Sequence, residues 1–128
     1  MEPPAIRRRR LQRERVIAEA RRWAATLPAP ATVILVGSYA RGDFNAWSDV
    51  DIVLAAPWLR GLGPLERLRL VDAPPGYEVV AWTPEEALEM LRRRNPLAVE
   101  AAEHGVVLRD DLGLAGELRA AWRRLMRG

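Results

Sequence analysis

Two acidic residues separated by a single position form the most informative chemical pattern in the sequence. Asp49 and Asp51 lie in the segment 49–55, whose otherwise apolar composition predicts a strand. Side chains two positions apart on a strand point to the same face, so the two carboxylates are expected to meet. Carboxylates that close repel each other, and a hard divalent cation such as Mg²⁺ or Mn²⁺ removes that repulsion. The pattern therefore predicts a metal site.

A third acid, Glu78, interrupts the apolar segment 77–82, which also predicts a strand. An acid inside such a strand is costly unless it is exposed or binds a ligand. Together with Asp49 and Asp51 it could hold two metal ions about 4 Å apart, an arrangement suited to in-line displacement at phosphorus. Two alternatives stay open. Glu78 could be an exposed acid on an edge strand, or the third carboxylate could be Asp72, close to a turn where Asp is common.

A glycine–serine pair ends the strand predicted at residues 32–36. Gly37 allows a sharp turn and lets a large anion approach the main chain, where the amides of a following helical turn can bind it. The Ser38 hydroxyl adds a donor, and Arg41 adds a cation that can reach phosphate oxygens. The pattern favours a phosphate site. The alternatives are a simple β-turn beside solvent-facing acids on an edge strand, and a surface role for Arg41.

The elements that must position these residues follow from periodicity and turn signals. Strands are predicted at residues 32–36, 49–55, 77–82 and, as a short edge strand, 106–108. Helices are predicted at residues 5–27 and 64–71, after Thr83, from Asn95 to Gly105, and from Leu114 to Leu125. Thr83, Pro84 and Glu86 form the signature of a capping box. At 128 residues, the length predicts a single domain.

Charge and composition exclude several classes of protein. Residues 1–22, the basic arm, carry a net charge of +5, and the other residues carry −2. Every basic residue is Arg, which excludes a lysine Schiff base, and the lack of cysteine excludes a thiolate metal site and fits a cytoplasmic protein. No apolar run is long enough to predict a membrane span.

The Arg7–Arg10 run predicts either a solvated helix face with partial Arg–Glu pairing or a docking helix for an acidic partner. Sequence-specific binding of nucleic acid is not expected without a groove-reading motif. Trp47, beside the acidic pair, is expected to pack over its loop, with stacking on a nucleobase as the alternative.

The stretch from residue 37 to residue 55 resembles the minimal nucleotidyltransferases of the DNA polymerase β-like superfamily. Their signature is Gly-Ser, ten residues, and then Asp-x-Asp, which is matched here by Gly37, Ser38, Asp49 and Asp51. Further loop residues that the family often shares are Arg41, Gly42 and Ser48. Glu78 stands where the family places its third carboxylate, more often an Asp. The resemblance covers residues 31–109, which divides the domain into an Arg-rich helix (1–27), a catalytic core (31–109) and a C-terminal helix (110–128).

The resemblance implies an α/β fold, of the α+β kind, with a small mixed β-sheet flanked by helices, and a two-metal nucleotidyl transfer. Asp49 and Asp51 would hold two Mg²⁺ ions (Mn²⁺ as the alternative) and the triphosphate, and Glu78 would bind the catalytic metal and help to deprotonate an acceptor. Nucleotide-binding residues in this comparison are Gly37, Ser38, Arg41 and Ser48.

Members of this size are often antitoxins that transfer AMP from ATP to a tyrosine of a HEPN toxin encoded nearby. The resemblance therefore implies ATP or another nucleoside triphosphate as substrate and a HEPN-type protein as partner. Two alternatives from other classes stay open: a catalytically silent module that neutralises a partner by contact, and a nucleic-acid binder that uses the basic arm. The first helix also has apolar and basic surface without an assigned partner, so a homo-oligomer is a further possibility.

Overall fold

The computed structural model describes residues 1–128 and contains six α-helices and four strands. In chain order they are α1 (Pro4–Ala25), β1 (Thr32–Val36), α2 (Gly37–Arg41), β2 (Val50–Ala55), α3 (Pro64–Val71), β3 (Tyr77–Trp82), α4 (Pro84–Arg92), α5 (Pro96–Glu103), β4 (Val106–Asp110) and α6 (Leu114–Arg127). A short 3₁₀ turn covers Pro57–Leu59. The predicted helices and strands are all present, with ends that differ by a few residues.

The four strands form one mixed sheet in the order β3-β2-β1-β4. β1 is antiparallel to both of its neighbours, and β2 is parallel to β3. The expected α/β fold with a small mixed sheet flanked by helices is confirmed. β2 lies inside the sheet, so the alternative that placed the acidic pair on an edge strand is wrong. β3 and β4 are the edge strands.

Helices cover both faces of the sheet, and β1 is buried on both sides. Its residues alternate between two cores: Val33 and Leu35 pack in one, whereas Ile34 and Val36 pack in the other. The first core includes Ile17 and Ala24 of α1 and Leu27 just after that helix, and the helices that contribute to the second core are α4, α5 and α6. Because a strand sends alternate side chains to opposite faces, the continuous apolar run in β1 serves two helical layers at once.

Local capping signals start the helices of the second layer. The Thr83 hydroxyl accepts a hydrogen bond from the Glu86 N–H (3.2 Å), and the Glu86 carboxylate accepts one from the Thr83 N–H (2.7 Å). The predicted capping box is therefore confirmed. The Asn95 side chain accepts from the N–H groups of Leu97 and Ala98 at the start of α5. None of the six helices has the length and apolar character needed to cross a membrane.

Candidate active site

The glycine turn and the acidic residues meet at one end of the sheet. Because β1 is antiparallel to β2, Val36 at the end of β1 pairs with Asp51 near the start of β2. Because β3 is parallel to β2, Glu78 near the start of β3 also pairs with Asp51. Gly37 follows Val36 directly and begins α2. The strand directions therefore bring Gly37, Asp51 and Glu78 together.

The surroundings of Asp51 disfavour the charge on its carboxylate. Burial raises the pKa of its carboxyl from 3.8 to about 6, and the negative charges of Glu78 and Asp49 add to the rise. Asp49, just ahead of β2, is exposed, and so is Glu78. The charged form of Asp51 is therefore disfavoured in the free protein, and any cation that came close would favour it.

Gly37 occupies a position that no other residue could fill without strain. Its φ is +76°, in the left-handed region that favours glycine. A Cβ atom there would collide with the Asp51 carboxylate, coming within 3.0 Å of Cγ. The glycine therefore serves two needs: it allows the turn from β1 into α2, and it makes room for the Asp51 carboxylate beside the main chain.

Glu100 of α5 occupies the donors that the resemblance assigns to phosphate. Its Oε1 accepts a hydrogen bond from the Gly37 N–H at 3.0 Å and forms an ion pair with the Arg41 guanidinium. Arg41 also contacts Asp43, with 3.3 Å between Nε and Oδ2. The Glu100 side chain is only 18% exposed. A backbone N–H and a guanidinium thus already hold a carboxylate at this place.

Glu100 was missed in the sequence, although a signal for it exists. The residue stands in an apolar segment of α5, flanked by Val99 and Ala101. The argument that singled out Glu78, an acid among apolar neighbours, applies equally to Glu100. What the sequence could not supply is the distance: 63 positions separate Glu100 from Gly37.

The loop between α2 and β2 is closed by polar contacts around Ser48. The Ser48 hydroxyl accepts from the Asn45 N–H at 2.9 Å, and the Asn45 side chain accepts from the Trp47 N–H at 2.8 Å. Trp47 is 90% exposed, so the expectation that it packs over the loop is wrong. Phe44 takes that place instead: it is buried and stacks on Tyr39, with ring centroids 4.5 Å apart.

Two arginines of the basic arm fasten α1 to the end of α2. Arg13 donates to the Tyr39 carbonyl (2.6 Å) and the Ala40 carbonyl (2.9 Å). Arg9 donates to the Phe44 carbonyl at 2.8 Å, and its guanidinium lies over the Phe44 ring. The carbonyls at a helix C-terminus lack partners within the helix, and a cation there is favourable. Part of the arm therefore supports the candidate site.

The rest of the arm agrees with the solvated alternative. Arg10 pairs with Glu2 at 2.9 Å and with Glu14 at 3.2 Å, and all three are exposed. Arg7 and Arg8 are exposed as well. Surface pairs of this kind contribute little to stability.

Glu78 rather than Asp72 lies beside Asp51. Asp72 ends α3 in a left-handed conformation, with φ of 47°. Glu78 pairs with Asp51 across the parallel strands. Glu78 is also exposed and on an edge strand, as one alternative expected, but its place in the register sets it against the acidic motif.

A cleft of about 560 Å³ opens next to these acids. Asp51 and Glu78 line one part of it, and most of its other lining residues are apolar, including Leu68, Val71 and Val79. A cleft with an acidic end and an apolar wall suits a ligand that combines a charged group with a flat apolar one.

The donor chemistry of the site fits a hard divalent cation. Carboxylate oxygens are the ligands that Mg²⁺ and Mn²⁺ prefer, and a cation would stabilise the Asp51 carboxylate, whose pKa is raised by burial and by the charges of Glu78 and Asp49. No group of three or more His, Asp or Glu side chains is close enough together in this conformation to form a complete metal cage. The residues present can thus supply ligands, and the substrate or a movement of Asp49 and Glu78 would have to complete the set.

Comparison with known proteins identifies the family. Residues 15–112 match the family model of the nucleotidyltransferase domain. The chain belongs to this family. The match begins inside α1, runs through the site of this nucleotidyltransferase domain and ends just after β4. A comparison with curated protein sequences found no match.

One solved structure shares the fold of this chain. A proposed nucleotidyltransferase from Sulfolobus solfataricus superimposes on this nucleotidyltransferase domain with a TM-score of 0.53 at 17% identity, over 84% of this chain and 87% of that one. At this identity the likeness shows a shared fold. A toxin–antitoxin structure with AMP-PNP gives a TM-score of 0.47 at 16% identity, over 91% of this chain and 89% of that one.

Proposed function

We propose that this nucleotidyltransferase domain transfers a nucleoside monophosphate, AMP from ATP, to a hydroxyl acceptor. The observation that carries the proposal is the pairing of Asp51 with Glu78 opposite the Gly37 turn. The pairing supplies carboxylates and an anion-binding backbone at one point of the sheet. Both are needed for chemistry on a metal-bound triphosphate.

Asp49, Asp51 and Glu78 are the residues that would hold Mg²⁺ in this proposal. The bound ions would neutralise charge on the triphosphate and on the departing pyrophosphate. Asp51 needs a cation most, because its carboxylate is half-buried among other negative charges. Glu78 is exposed, so its carboxylate can also accept the proton of an incoming hydroxyl.

Gly37, Ser38 and Arg41 would orient the β- and γ-phosphates, and Ser48 would hold the loop that carries Asp49. The acceptor oxygen attacks the α-phosphorus, and the bond from this phosphorus to the bridging oxygen breaks. Pyrophosphate leaves with the electron pair, and the hydroxyl proton passes to Glu78. Alignment and charge neutralisation account for most of the expected rate enhancement.

For the acceptor we propose a tyrosine of a HEPN-type partner protein, with this chain acting as the antitoxin in the cytoplasm. This part rests on the resemblance of the motif to minimal nucleotidyltransferases. It is supported by the openness of the site: Glu78 is exposed on an edge strand, and a cleft leads away from it. A side chain of another protein could therefore reach Glu78 without a rearrangement of the sheet.

The test is a labelling experiment with the full chain. The purified protein is incubated with Mg²⁺, α-labelled ATP and the protein encoded by the neighbouring gene. We expect covalent label on that partner and its loss in Asp49→Asn, Asp51→Asn and Glu78→Gln. Asp72→Asn is the matched control and should keep the activity, because Asp72 follows α3 and lies outside the strands whose register pairs Asp51 with Glu78.

Other outcomes would contradict the proposal in different ways. No label with any of the four nucleoside triphosphates would favour a catalytically silent module. Salt-dependent RNA binding that survives Asp51→Asn and disappears when Arg7 and Arg8 are replaced would favour the nucleic-acid alternative.

A further inference from the structure

Glu100 has a place in the fold that the transfer reaction as described does not use. It projects from α5, on the layer of helices opposite α1, and its carboxylate reaches the turn between β1 and α2. There it binds the Gly37 N–H and the Arg41 guanidinium. Its side chain is mostly buried, at 18% exposure, so the contact is a defined one.

The contact shows that these two donors bind an anion. A carboxylate held by a backbone N–H and a guanidinium is bound in the same way as a phosphoryl oxygen is bound. The donors are also two of those assigned above to the β- and γ-phosphates. The Gly37 N–H carries one hydrogen, so one anion must leave before the other can bind there, and the Arg41 nitrogen that points at Glu100 is likewise occupied.

Glu100 is able to leave. Its carboxylate is carried by a side chain with several rotatable bonds, so it can move while the helix stays in place. The helix α5 is fixed by the Asn95 cap at its start and by buried apolar residues such as Ala98 and Ala101. Of the two contacts that the displaced carboxylate would give up, the one to Arg41 is exposed and the one to the Gly37 N–H is partly buried.

We propose that Glu100 competes with the pyrophosphate part of the nucleotide for the Gly37 N–H and the Arg41 guanidinium. By binding these two donors again after the transfer, Glu100 speeds the release of pyrophosphate. This inference rests on the proposed function. A triphosphate displaces Glu100 because it is also bound through its α-phosphate, its nucleoside and its metal ions. Pyrophosphate alone has lost the first two of these contacts after the transfer, so Glu100 competes with it more effectively.

The size of the effect follows from occupancy. If Glu100 holds the donors about nine-tenths of the time, the apparent affinity for any ligand that needs them falls about tenfold. Replacement of Glu100 by a neutral residue removes the competition from Glu100, while Asp43 stays beside the Nε of Arg41. Ligands that do not reach the donors, such as AMP, keep their affinity.

The experiment measures pyrophosphate binding by calorimetry in Mg²⁺, together with inhibition of the labelling reaction by pyrophosphate. Glu100→Gln should bind pyrophosphate about tenfold more tightly than the natural chain. Glu103→Gln is the matched control, because Glu103 is an exposed residue of the same helix, and it should change nothing. In an Arg41→Gln background the gain from Glu100→Gln should shrink, since the shared guanidinium is gone.

Tighter pyrophosphate binding in Glu100→Gln, with AMP binding unchanged, supports the inference, even if no acceptor is ever labelled and the proposed function fails. Unchanged or weaker pyrophosphate binding overturns the inference, even if labelling proceeds normally. Glu100→Ala serves as a second variant, and thermal unfolding of both verifies that they are folded. Loss of folding in Glu100→Gln and Glu100→Ala alike would show that the contact is structural and would also overturn the inference.

Discussion

Gly37 lies so close to Asp51 that a methyl group on its Cα would meet the carboxylate. The Gly37 turn therefore packs directly against β2, the strand that carries Asp51. A larger side chain at position 37 would therefore displace the Asp51 carboxylate.

The first prediction concerns Gly37→Ala. The left-handed φ of +76° costs an alanine about 1–3 kcal/mol, and the collision with Asp51 adds to this. Gly76→Ala is the control: its φ is +82°, but nothing lies within 4 Å of the added Cβ. Urea unfolding should show a larger loss of stability for Gly37→Ala, and equal losses would contradict the collision.

The second prediction concerns the pH dependence that arises from Asp51. Its pKa is about 6 in the folded chain, above the ordinary 3.8, so the folded state binds more protons than the unfolded state between these values. Its contribution to the free energy of unfolding is therefore largest at low pH and falls as the pH rises through about 6.

The measurement is a series of urea titrations from pH 4 to pH 8 on the natural chain and on Asp51→Asn. The stability advantage of Asp51→Asn should grow up to about pH 6 and then level off. Mg²⁺ should reduce this advantage above pH 6, because a cation favours ionised Asp51. A difference that does not vary with pH would contradict the raised pKa.

The third prediction separates supporting arginines from solvated ones. Arg13→Ala leaves the carbonyls of Tyr39 and Ala40 without their partner and should cost about 1–3 kcal/mol of stability. It should also raise the KM for ATP, because α2 then loses its support. Arg8→Ala, at an exposed position of the same helix, should stay within about 0.5 kcal/mol. Similar effects of the two substitutions would show that α1 does not hold α2.

The fourth prediction concerns the start of α4. Thr83→Ala removes the capping hydroxyl and should lower the free energy of unfolding by about 1 kcal/mol. The control is Thr26→Ala: this residue follows the end of α1, and its hydroxyl donates to the Trp23 carbonyl (2.6 Å) only at the exposed surface, so its loss should change the stability by less than about 0.5 kcal/mol. Chemical denaturation of the two variants gives the comparison directly.

The site residues that lie close together in the chain could be predicted from the sequence. Gly37 and Ser38 follow a strand of buried apolar residues, and Asp51 alternates with apolar residues in the next one, so composition and spacing sufficed. Glu78 could be predicted as a candidate, but its choice over Asp72 needed the register of β2 and β3. Register depends on tertiary packing, which a single sequence does not display.

Contacts between distant segments could not be predicted. Glu100 reaches Gly37 from α5, and Arg13 reaches α2 from α1. The sequence does not show whether an arginine on a helix is solvated or donates to a distant carbonyl. It also does not show whether a glutamate is solvated or accepts from a distant N–H. The prediction for Trp47 was wrong for a related reason. The loop packs one aromatic residue against the core, and that residue is Phe44, which stacks on Tyr39.

The attachment of α1 to α2 has a practical consequence for truncation. A polypeptide cut down to residues 31–109 would keep every side chain to which we give a catalytic role, so it looks like a natural minimal enzyme. It would nevertheless lose Arg9 and Arg13, which tether the turn that carries Ser38 and Arg41. It would also lose the apolar residues that α1 and α6 contribute to the two cores, so we expect such a fragment to fold poorly and to bind nucleotide poorly although its motif is complete.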